Sequence, residues 1–426
     1  MEQPPDELRA LSRLAASELG AGAAGIGGVH AAIAGRVFGA VGPTGRTARI
    51  AHDAISRGVY ASVRGAASLA GEVADCALSR RDRGAGRAIS AQPRGAIALG
   101  VLNGVIGDAL EAQGSALQEP MAVRLHGRIV APERAALAAE FPAAAPRLVV
   151  FVHGLMEIEY GWRLGGGATY GARLARELGC TAVDVRYNSG RHISSNGRSL
   201  ADLLERVVAA WPVEVEEIAL VGHSMGGLVA RSACWQASER GHDWVARVRH
   251  VVSLGSPHTG APIAQGLHYA AHALHAVPET RPFARFLRRR SAGIRDLQQG
   301  SLVDRDWEGC DPDALRAAAC AEVPLLEGAM HCFVAATITR DERHPLGRLA
   351  GDALVLVPSA SGHSRARRIP FRAEHGMHVG GAHHLALLNH PAVYERLRDW
   401  LTQSPSQALR APSSDGCYLR TRRAMR

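Results

Sequence analysis

From about residue 116 onward, the chain alternates short runs of apolar, β-branched residues with longer amphipathic segments. Strands of a parallel sheet are buried on both faces and therefore form continuous apolar runs, whereas a covering helix has a single apolar face. The alternation predicts an α/β fold with a mostly parallel central sheet covered by helices. The predicted strands are 148–152, 182–186, 218–222, 250–254 and 332–337, and the predicted helices are 170–178, 200–210, 228–237 and 392–401.

Three further segments depart from this rhythm. Residues 1–115 are rich in Ala and Gly and carry apolar residues at helical spacing, which predicts an extra N-terminal helical region. Residues 259–328 interrupt the alternation within the domain predicted at 116–402, and this position favours a helical cap or lid insertion. Residues 403–426 are rich in Ser, Pro and Arg and are predicted to form a disordered basic tail.

The composition is that of a globular protein, with 47% hydrophobic and 21% charged residues. All 49 basic residues are arginines scattered along the chain, so the net charge of +9 does not predict a nucleic-acid partner. Basic runs at 288–290 and 420–426 leave peripheral contact with an anionic lipid surface as an alternative to a solvated face. The first residues lack the basic start and apolar stretch of a secretory signal, which predicts a cytoplasmic location.

The strongest chemical signal surrounds Ser224. An apolar strand-like run ends in Gly-His-Ser-Met-Gly-Gly, and a helix-like segment follows at once. This strand, turn and helix around GxSxG is typical of a nucleophilic serine held on a sharp turn. Gly222 and Gly226 suit the turn because the strained serine backbone leaves no room for neighbouring side chains. His223 completes the motif.

A serine hydroxyl needs a histidine as base and a carboxylate to orient that histidine. Asp352 is the favoured acid because it follows the strand predicted at 332–337 and opens an apolar segment, with Asp341 as the alternative. His384 is the favoured base because it lies in a glycine-rich loop directly before the last predicted helix, with His383 as the alternative.

An oxyanion hole requires two backbone N–H groups directed at one point. Met225, which follows the nucleophile, is predicted to supply one of them. Leu155 is predicted to supply the other, because it follows the pair His153-Gly154 at the end of the strand 148–152. Glycine at that position lets the backbone turn towards the site.

These segments resemble the lipase and esterase branch of the α/β-hydrolase superfamily. The matching pieces are Val-His-Gly-Leu at 152–155, the Gly-His-Ser-Met-Gly-Gly turn, Gly-Ser-Pro-His-Thr-Gly at 255–260 and the segments around Asp352 and His384. The resemblance covers roughly residues 120–402. Within this branch, the Gly-His-Ser-Met-Gly-Gly turn followed by Gly-Ser-Pro-His-Thr-Gly is similar to bacterial triacylglycerol lipases. It implies an α/β-hydrolase fold and cleavage of a small-molecule or lipid acyl ester through an acyl-enzyme on Ser224.

Other readings remain open at this point. Acyl transfer or thioester cleavage would use the same acyl-enzyme, and a lipid-surface-binding protein with a vestigial hydrolase domain would need no chemistry. Gly20–Gly25 matches GxGxxG but follows a helix-like segment rather than a strand, so no nucleotide cofactor is predicted. The C-terminal histidines lack an HExxH motif, so no metal is predicted. Oligomeric state leaves no mark in the sequence.

Overall fold

A computed structural model of the chain describes residues 7, 9–17, 53, 89–261, 290–311, 320–341, 344–365 and 367–403. Several predicted features lie outside the described residues. They are the GxGxxG match, most of the N-terminal region, the middle of the predicted cap at 262–289 and 312–319, and the tail from 404 onward.

Strands and helices alternate through most of the described chain. The strands are β1 (Ala122–Leu125), β2 (Arg128–Val130), β3 (Arg147–Val152), β4 (Thr181–Arg186), β5 (Glu217–His223), β6 (Val248–Leu254), β7 (Met330–Thr337) and β8 (Gly376–Gly380). The helices are α1 (Pro93–Ala112), α2 (Arg134–Glu140), α3 (Tyr170–Leu178), α4 (Ile193–Ala210), α5 (Met225–Glu239), α6 (Ala292–Asp296), α7 (Pro345–Ala350), α8 (Val357–Ala360) and α9 (Pro391–Leu401).

The eight strands form one sheet in the order β2-β1-β4-β3-β5-β6-β7-β8. β1 pairs antiparallel with both β2 and β4, and all the other pairs are parallel. The carboxyl ends of β3, β5, β6, β7 and β8 therefore share one edge of the sheet. Loops that leave this edge are brought together although they are far apart in sequence.

Alternate residues of the central strands enter two separate cores. In β3, Leu148, Val150 and Val152 belong to one core, whereas Val149 and Phe151 belong to the other. Helices α4 and α5 cover the first core, and α3 and α9 cover the second. Because both faces are covered, the strands read as uninterrupted apolar runs. The predicted mostly parallel sheet with flanking helices is confirmed.

All five predicted strands are present, each as part of a somewhat longer strand, but β1, β2 and β8 escaped prediction. β1 and β2 are short and contain Arg124 and Arg128, and β8 consists of Gly-Met-His-Val-Gly. None of them has an apolar run of sufficient length. Sheet pairing at the edges, rather than residue preference, makes these segments strands.

The chain divides into two compact units. One comprises Met1–Gln92, Leu110–Gln118 and Gly266–Arg290, and in its described part the Glu7 carboxylate accepts a hydrogen bond from the Ser90 backbone N–H at 3.0 Å. The other comprises Pro93–Ala109, Glu119–Gln265 and Ser291–Arg426 and holds the sheet. The domain boundaries drawn from the sequence remain predictions.

The described part of the N-terminal region is helical, as predicted, over residues 9–17 and in α1. Within the described residues, α1 is the one helix whose length and mean hydropathy of 1.3 would allow it to cross a membrane. Core helices of globular proteins meet the same criterion. The part of α1 in the sheet unit packs closely through Gly100 and Gly104, where an added Cβ would collide with Ile158 and Met156.

Candidate active site

Ser224 lies at the turn between β5 and α5. Its backbone has φ 52° and ψ −122°, a conformation that residues with a side chain rarely adopt, and its N–H donates to the Leu254 carbonyl at 2.8 Å. Such strain is expected where the surrounding structure fixes a functional residue. The turn places the serine at the carboxyl edge of the sheet and at the positive end of the α5 dipole.

Gly222 and Gly226 allow this turn to form. A Cβ on Gly222 would overlap the backbone of Gly226 and Gly227, and a Cβ on Gly226 would overlap the carbonyl oxygens of Val152 and His153. Backbone atoms of buried strands cannot move aside as a flexible side chain can. The two glycines are therefore required by close backbone approach.

We expect Gly226→Ala to destabilise the fold by about 1–3 kcal/mol, the usual cost of overpacking a rigid site. The added methyl would push the start of α5 away from the end of β3, so ester hydrolysis should also fall. Thermal unfolding measures the first effect and steady-state kinetics the second. As a control, Gly241→Ala adds a methyl at a surface turn where a Cβ would meet nothing within 4 Å; its φ of 69° costs alanine about 1–2 kcal/mol of stability, but ester hydrolysis should be unchanged. Wild-type Tm and activity for Gly226→Ala would contradict this explanation of the motif.

Asp352 and His384 lie together beside the serine turn. Asp352 follows α7 and is 1% exposed, and its Oδ2 is 2.7 Å from Nδ1 of His384. The other carboxylate oxygen accepts the backbone N–H groups of Leu354 and Val355 at 3.0 and 2.8 Å. The His384 backbone N–H donates to the Asp352 carbonyl at 2.9 Å. The carboxylate is therefore held on both sides and orients the imidazole.

The structure separates both favoured residues from their alternatives. His383, adjacent to His384, is exposed, and so is Asp341. His384 is buried, and its ring packs against Gly255, where an added Cβ would lie 3.2 Å from the imidazole. Gly255 directly follows Leu254, the acceptor for the Ser224 N–H, so the histidine and the serine adjoin the same end of β6.

The loop after β3 borders the serine on its other side. A Cβ on Gly154 would lie 3.0 Å from the Ser224 Cβ. The Gly154 N–H donates to Glu157 at 2.8 Å, and the Met156 N–H donates to Ser189 Oγ at 3.0 Å. Within the described chain, the N–H of Leu155 between them has no acceptor.

The Met225 N–H also has no acceptor among the described residues, as expected for the first residue of a helix. The free N–H groups of Leu155 and Met225 thus belong to the two segments that flank Ser224. This arrangement suits an oxyanion hole.

His153 has a structural part in this loop. Its ring is fully buried and stacks on Tyr187 with 4.3 Å between centroids. Nδ1 lies 2.8 Å from the Gly154 carbonyl, and Nε2 accepts the Tyr187 N–H at 3.2 Å, a pattern that requires neutral imidazole. Burial disfavours the charged imidazolium and lowers the pKa of His153 to about 4. His153 therefore shapes the loop and does not titrate near neutral pH.

Backbone strain is concentrated in the loops around the site. Four described residues other than glycine have positive φ, and three of them are Met156, Ser224 and Ala353. They lie beside Leu155, at the nucleophile position and beside Asp352. Strain of this kind costs on the order of 1–3 kcal/mol per residue and persists where packing determines the backbone.

Two residues at the site were not assigned from the sequence. Glu157 accepts from Gly154 and pairs with His223, and Ser189, in the loop after β4, holds Met156. Glu157 stands three residues after Gly154 and two before Glu159, and a carboxylate so close to the glycine turn was the available signal. Ser189 carried no signal in the sequence, because β3 and β4 become neighbours only in the sheet. In the described ranges, no group of three or more His, Cys, Asp or Glu could hold a metal ion.

Residues 183–286, which include the Ser224 turn, match the family model of the PGAP1-like alpha/beta domain. No curated protein sequence matches the chain significantly. The strand order, the mostly parallel sheet and this match show that the chain has an α/β-hydrolase fold.

Solved structures with a similar fold include the propeptide form of the lipase BlEst2 from Bacillus licheniformis, with 18% identity and a TM-score of 0.41. The alignment covers 66% of this chain and 53% of that one, so this chain spans about half its length. An esterase from the archaeon Pyrobaculum calidifontis has 18% identity, coverage of 63% and 76%, and a TM-score of 0.33. Phospholipase PlaB from Legionella pneumophila has 12% identity, coverage of 61% and 59%, and a TM-score of 0.39.

Proposed function

We propose that this chain, whose fold is that of lipase- and esterase-like α/β-hydrolases, is a serine hydrolase that cleaves carboxylic esters of lipid-like acyl groups. The observation that carries the proposal is the strained Ser224 turn flanked by the Asp352–His384 hydrogen bond and by two free backbone N–H groups. These parts supply a nucleophile, an oriented base and a site for the oxyanion.

In the proposed reaction, Ser224 Oγ attacks the ester carbonyl carbon while His384 Nε2 takes the hydroxyl proton. The negative charge moves to the carbonyl oxygen. When the tetrahedral intermediate collapses, the ester C–O bond breaks and the imidazolium returns its proton to the departing alcohol. Water then attacks the acyl-enzyme with His384 again as base, which releases the carboxylic acid and restores Ser224.

Asp352 acts on this reaction through His384. Its Oδ2 accepts the Nδ1 proton, so Nε2 is left as the basic nitrogen, and its negative charge stabilises the imidazolium. The Leu155 and Met225 N–H groups stabilise the developing oxyanion, an effect that is typically about 10²–10³-fold per donor.

A covalent probe tests the nucleophile directly. The wild-type protein should react with an alkyl fluorophosphonate, gain the mass of one phosphonyl group, and carry it on the peptide that contains Ser224. A panel of p-nitrophenyl esters and acyl thioesters of increasing chain length then identifies the preferred bond and acyl group. Absence of both labelling and hydrolysis across the panel would contradict the proposal and favour a binding protein without chemistry. Faster turnover of thioesters than of oxygen esters would instead indicate a thioesterase.

We further infer that the site opens towards a lipid surface. Exposed aliphatic side chains surround the acid and histidine loops, and we call this set the apolar rim. It consists of Ile338, Leu346, Leu349, Leu354 and Leu385.

Connections within the described chain keep the rim beside the site. Leu354 is hydrogen-bonded to Asp352, Leu385 follows His384, and the Ile338 N–H donates to Gly351. Exposed Arg340 and Arg348 add positive charge to this edge. An apolar rim with basic residues suits the headgroup region of an anionic membrane.

We expect Leu349→Glu to weaken co-sedimentation with phosphatidylglycerol vesicles by roughly 10–100-fold, the loss expected for one large aliphatic side chain. Leu349 is the most exposed member of the rim, at 79%. Hydrolysis of a short, water-soluble ester should stay at the wild-type level because the triad is untouched. Val213→Glu, at an exposed position before β5 on the opposite edge of the sheet, is the matched control. Equal losses for both variants would indicate a charge effect without a specific docking edge.

A further inference from the structure

Glu157 and His223 form a buried contact beneath the site. The Glu157 carboxylate lies 3.0 Å from Nδ1 of His223 and accepts the Gly154 N–H at 2.8 Å. The His223 ring is fully buried, and the Glu157 side chain is 12% exposed. One carboxylate thus joins the loop that carries Leu155 to the residue that precedes Ser224.

The second ring nitrogen of His223 extends this connection to the base. Nε2 of His223 lies 3.2 Å from the backbone carbonyl oxygen of His384, and the two rings are 4.7 Å apart. Both nitrogens of His223 therefore face oxygen acceptors, and only an imidazolium can donate to both.

The electrostatic surroundings favour that charged form. Burial alone would lower the pKa of His223, but the Glu157 carboxylate outweighs burial and raises it, helped by the His384 carbonyl and Asp352. Burial would likewise raise the pKa of Glu157, yet His223 and the Gly154 N–H lower it. Both shifts favour the ion pair over the neutral pair near neutral pH.

We propose that Glu157 and His223 are positioning residues, a buried ion pair that holds the oxyanion loop, the nucleophile turn and the His384 backbone in register for the proposed ester hydrolysis. The inference rests on that proposed function. Neither residue touches the reacting atoms. Glu157 fixes Gly154, which contacts Ser224, and His223 holds the carbonyl of the residue that serves as base.

Glu157→Gln removes the charge and keeps the shape. Burial then outweighs the smaller contributions of the His384 carbonyl and Asp352, so His223 loses its second proton near neutral pH and can no longer donate to both neighbours. We expect kcat to fall by about 10²-fold, a typical result of small misplacement in an active site, with KM nearly unchanged.

The pH dependence separates positioning by a charged pair from a loss of packing. In the wild type, the Glu157 carboxylate raises the pKa of His223 and so favours the protonated form as pH rises. In Glu157→Gln, His223 gains its second proton only as pH falls, so the ratio of variant kcat to wild-type kcat should rise towards low pH. Taking the ratio cancels any pH dependence that the two enzymes share.

A second buried ion pair provides the matched control. Glu119 pairs with Arg124 at 2.8 Å and with Arg186 at 3.2 Å, all three side chains are nearly inaccessible, and none of them contacts Ser224 or His384 in the described chain. Both Glu119→Gln and Glu157→Gln should lower Tm. For Glu119→Gln, however, the ratio of variant kcat to wild-type kcat should not change with pH. A flat ratio for Glu157→Gln as well would overturn the inference.

The charge state is also measurable in the wild type. With ¹⁵N-labelled histidine at about pH 7, where an ordinary histidine is mostly neutral, His223 should show two protonated ring nitrogens, with His223→Gln providing the assignment. A neutral His223 would overturn the inference even if Glu157→Gln did not fold. An imidazolium in a protein that hydrolyses no ester would instead contradict the proposed function and leave the ion pair established.

Discussion

Ser224→Ala is expected to abolish ester hydrolysis, lowering kcat on the order of 10⁴- to 10⁶-fold, because the acyl-enzyme route is then closed. The oxyanion donors remain in place, so residual activity slightly above the uncatalysed rate is expected. Substrate should still bind, and the fluorophosphonate label should disappear. Steady-state kinetics on the preferred ester and intact-mass analysis after labelling measure both results.

The retained backbone strain gives this substitution a second signature. Ser224 has positive φ, and alanine retains that strain, so Tm should stay close to that of the wild type. Ser238→Ala removes an exposed hydroxyl near the other end of α5 and serves as the control for any serine on this helix. If Ser224→Ala and Ser238→Ala both retained the wild-type kcat, the serine-hydrolase proposal would be wrong.

Asp352→Asn should lower kcat by about 10⁴-fold with the fold intact. The amide oxygen can keep the hydrogen bonds from Leu354 and Val355, which turns the NH₂ group towards His384 Nδ1. Nδ1 must then accept, so the proton moves to Nε2, and the base loses its lone pair where Ser224 needs it. Near-UV circular dichroism and Tm should match the wild type while kinetics report the loss.

Asp341→Asn is the paired control because Asp341 follows the same strand but is exposed. It should leave kcat within about two-fold of the wild type, as surface substitutions generally have small effects. Reversal of the two results would make Asp341 the functional acid. Similar kcat values for Asp352→Asn and Asp341→Asn would show that the Asp352–His384 hydrogen bond does not orient the base.

The central fold was predictable from the residues because strands buried on both faces appear in the sequence as continuous apolar runs. β3 and β5 are the clearest cases, each a buried run bounded by polar residues. β8 was not predictable, since Gly-Met-His-Val-Gly becomes a strand only by pairing with β7. The helical character of the N-terminal region followed from apolar residues at helical spacing, but the close approach of α1 to Met156 through Gly104 did not.

The site divides in the same way. The Ser224 turn carries its signal locally, because strand, glycine and helix must follow one another within a few residues. Order along the chain narrowed the candidate acid to Asp352 or Asp341 and the candidate base to His384 or His383. Their functional roles remain predictions, although the structure brings only Asp352 and His384 together in a buried hydrogen bond.

The sequence by itself determined the α/β class, the strained serine turn and the order of serine, acid and histidine, because each of these depends on neighbours in the chain. Tertiary structure alone decided which histidine and which aspartate meet, and that Glu157 reaches His223 across 66 positions. These contacts arise where parallel strands end at a common edge. There the proximity of Glu157 to His223 favours a charged pair against the effect of burial, and no local pattern records which loops will share that edge.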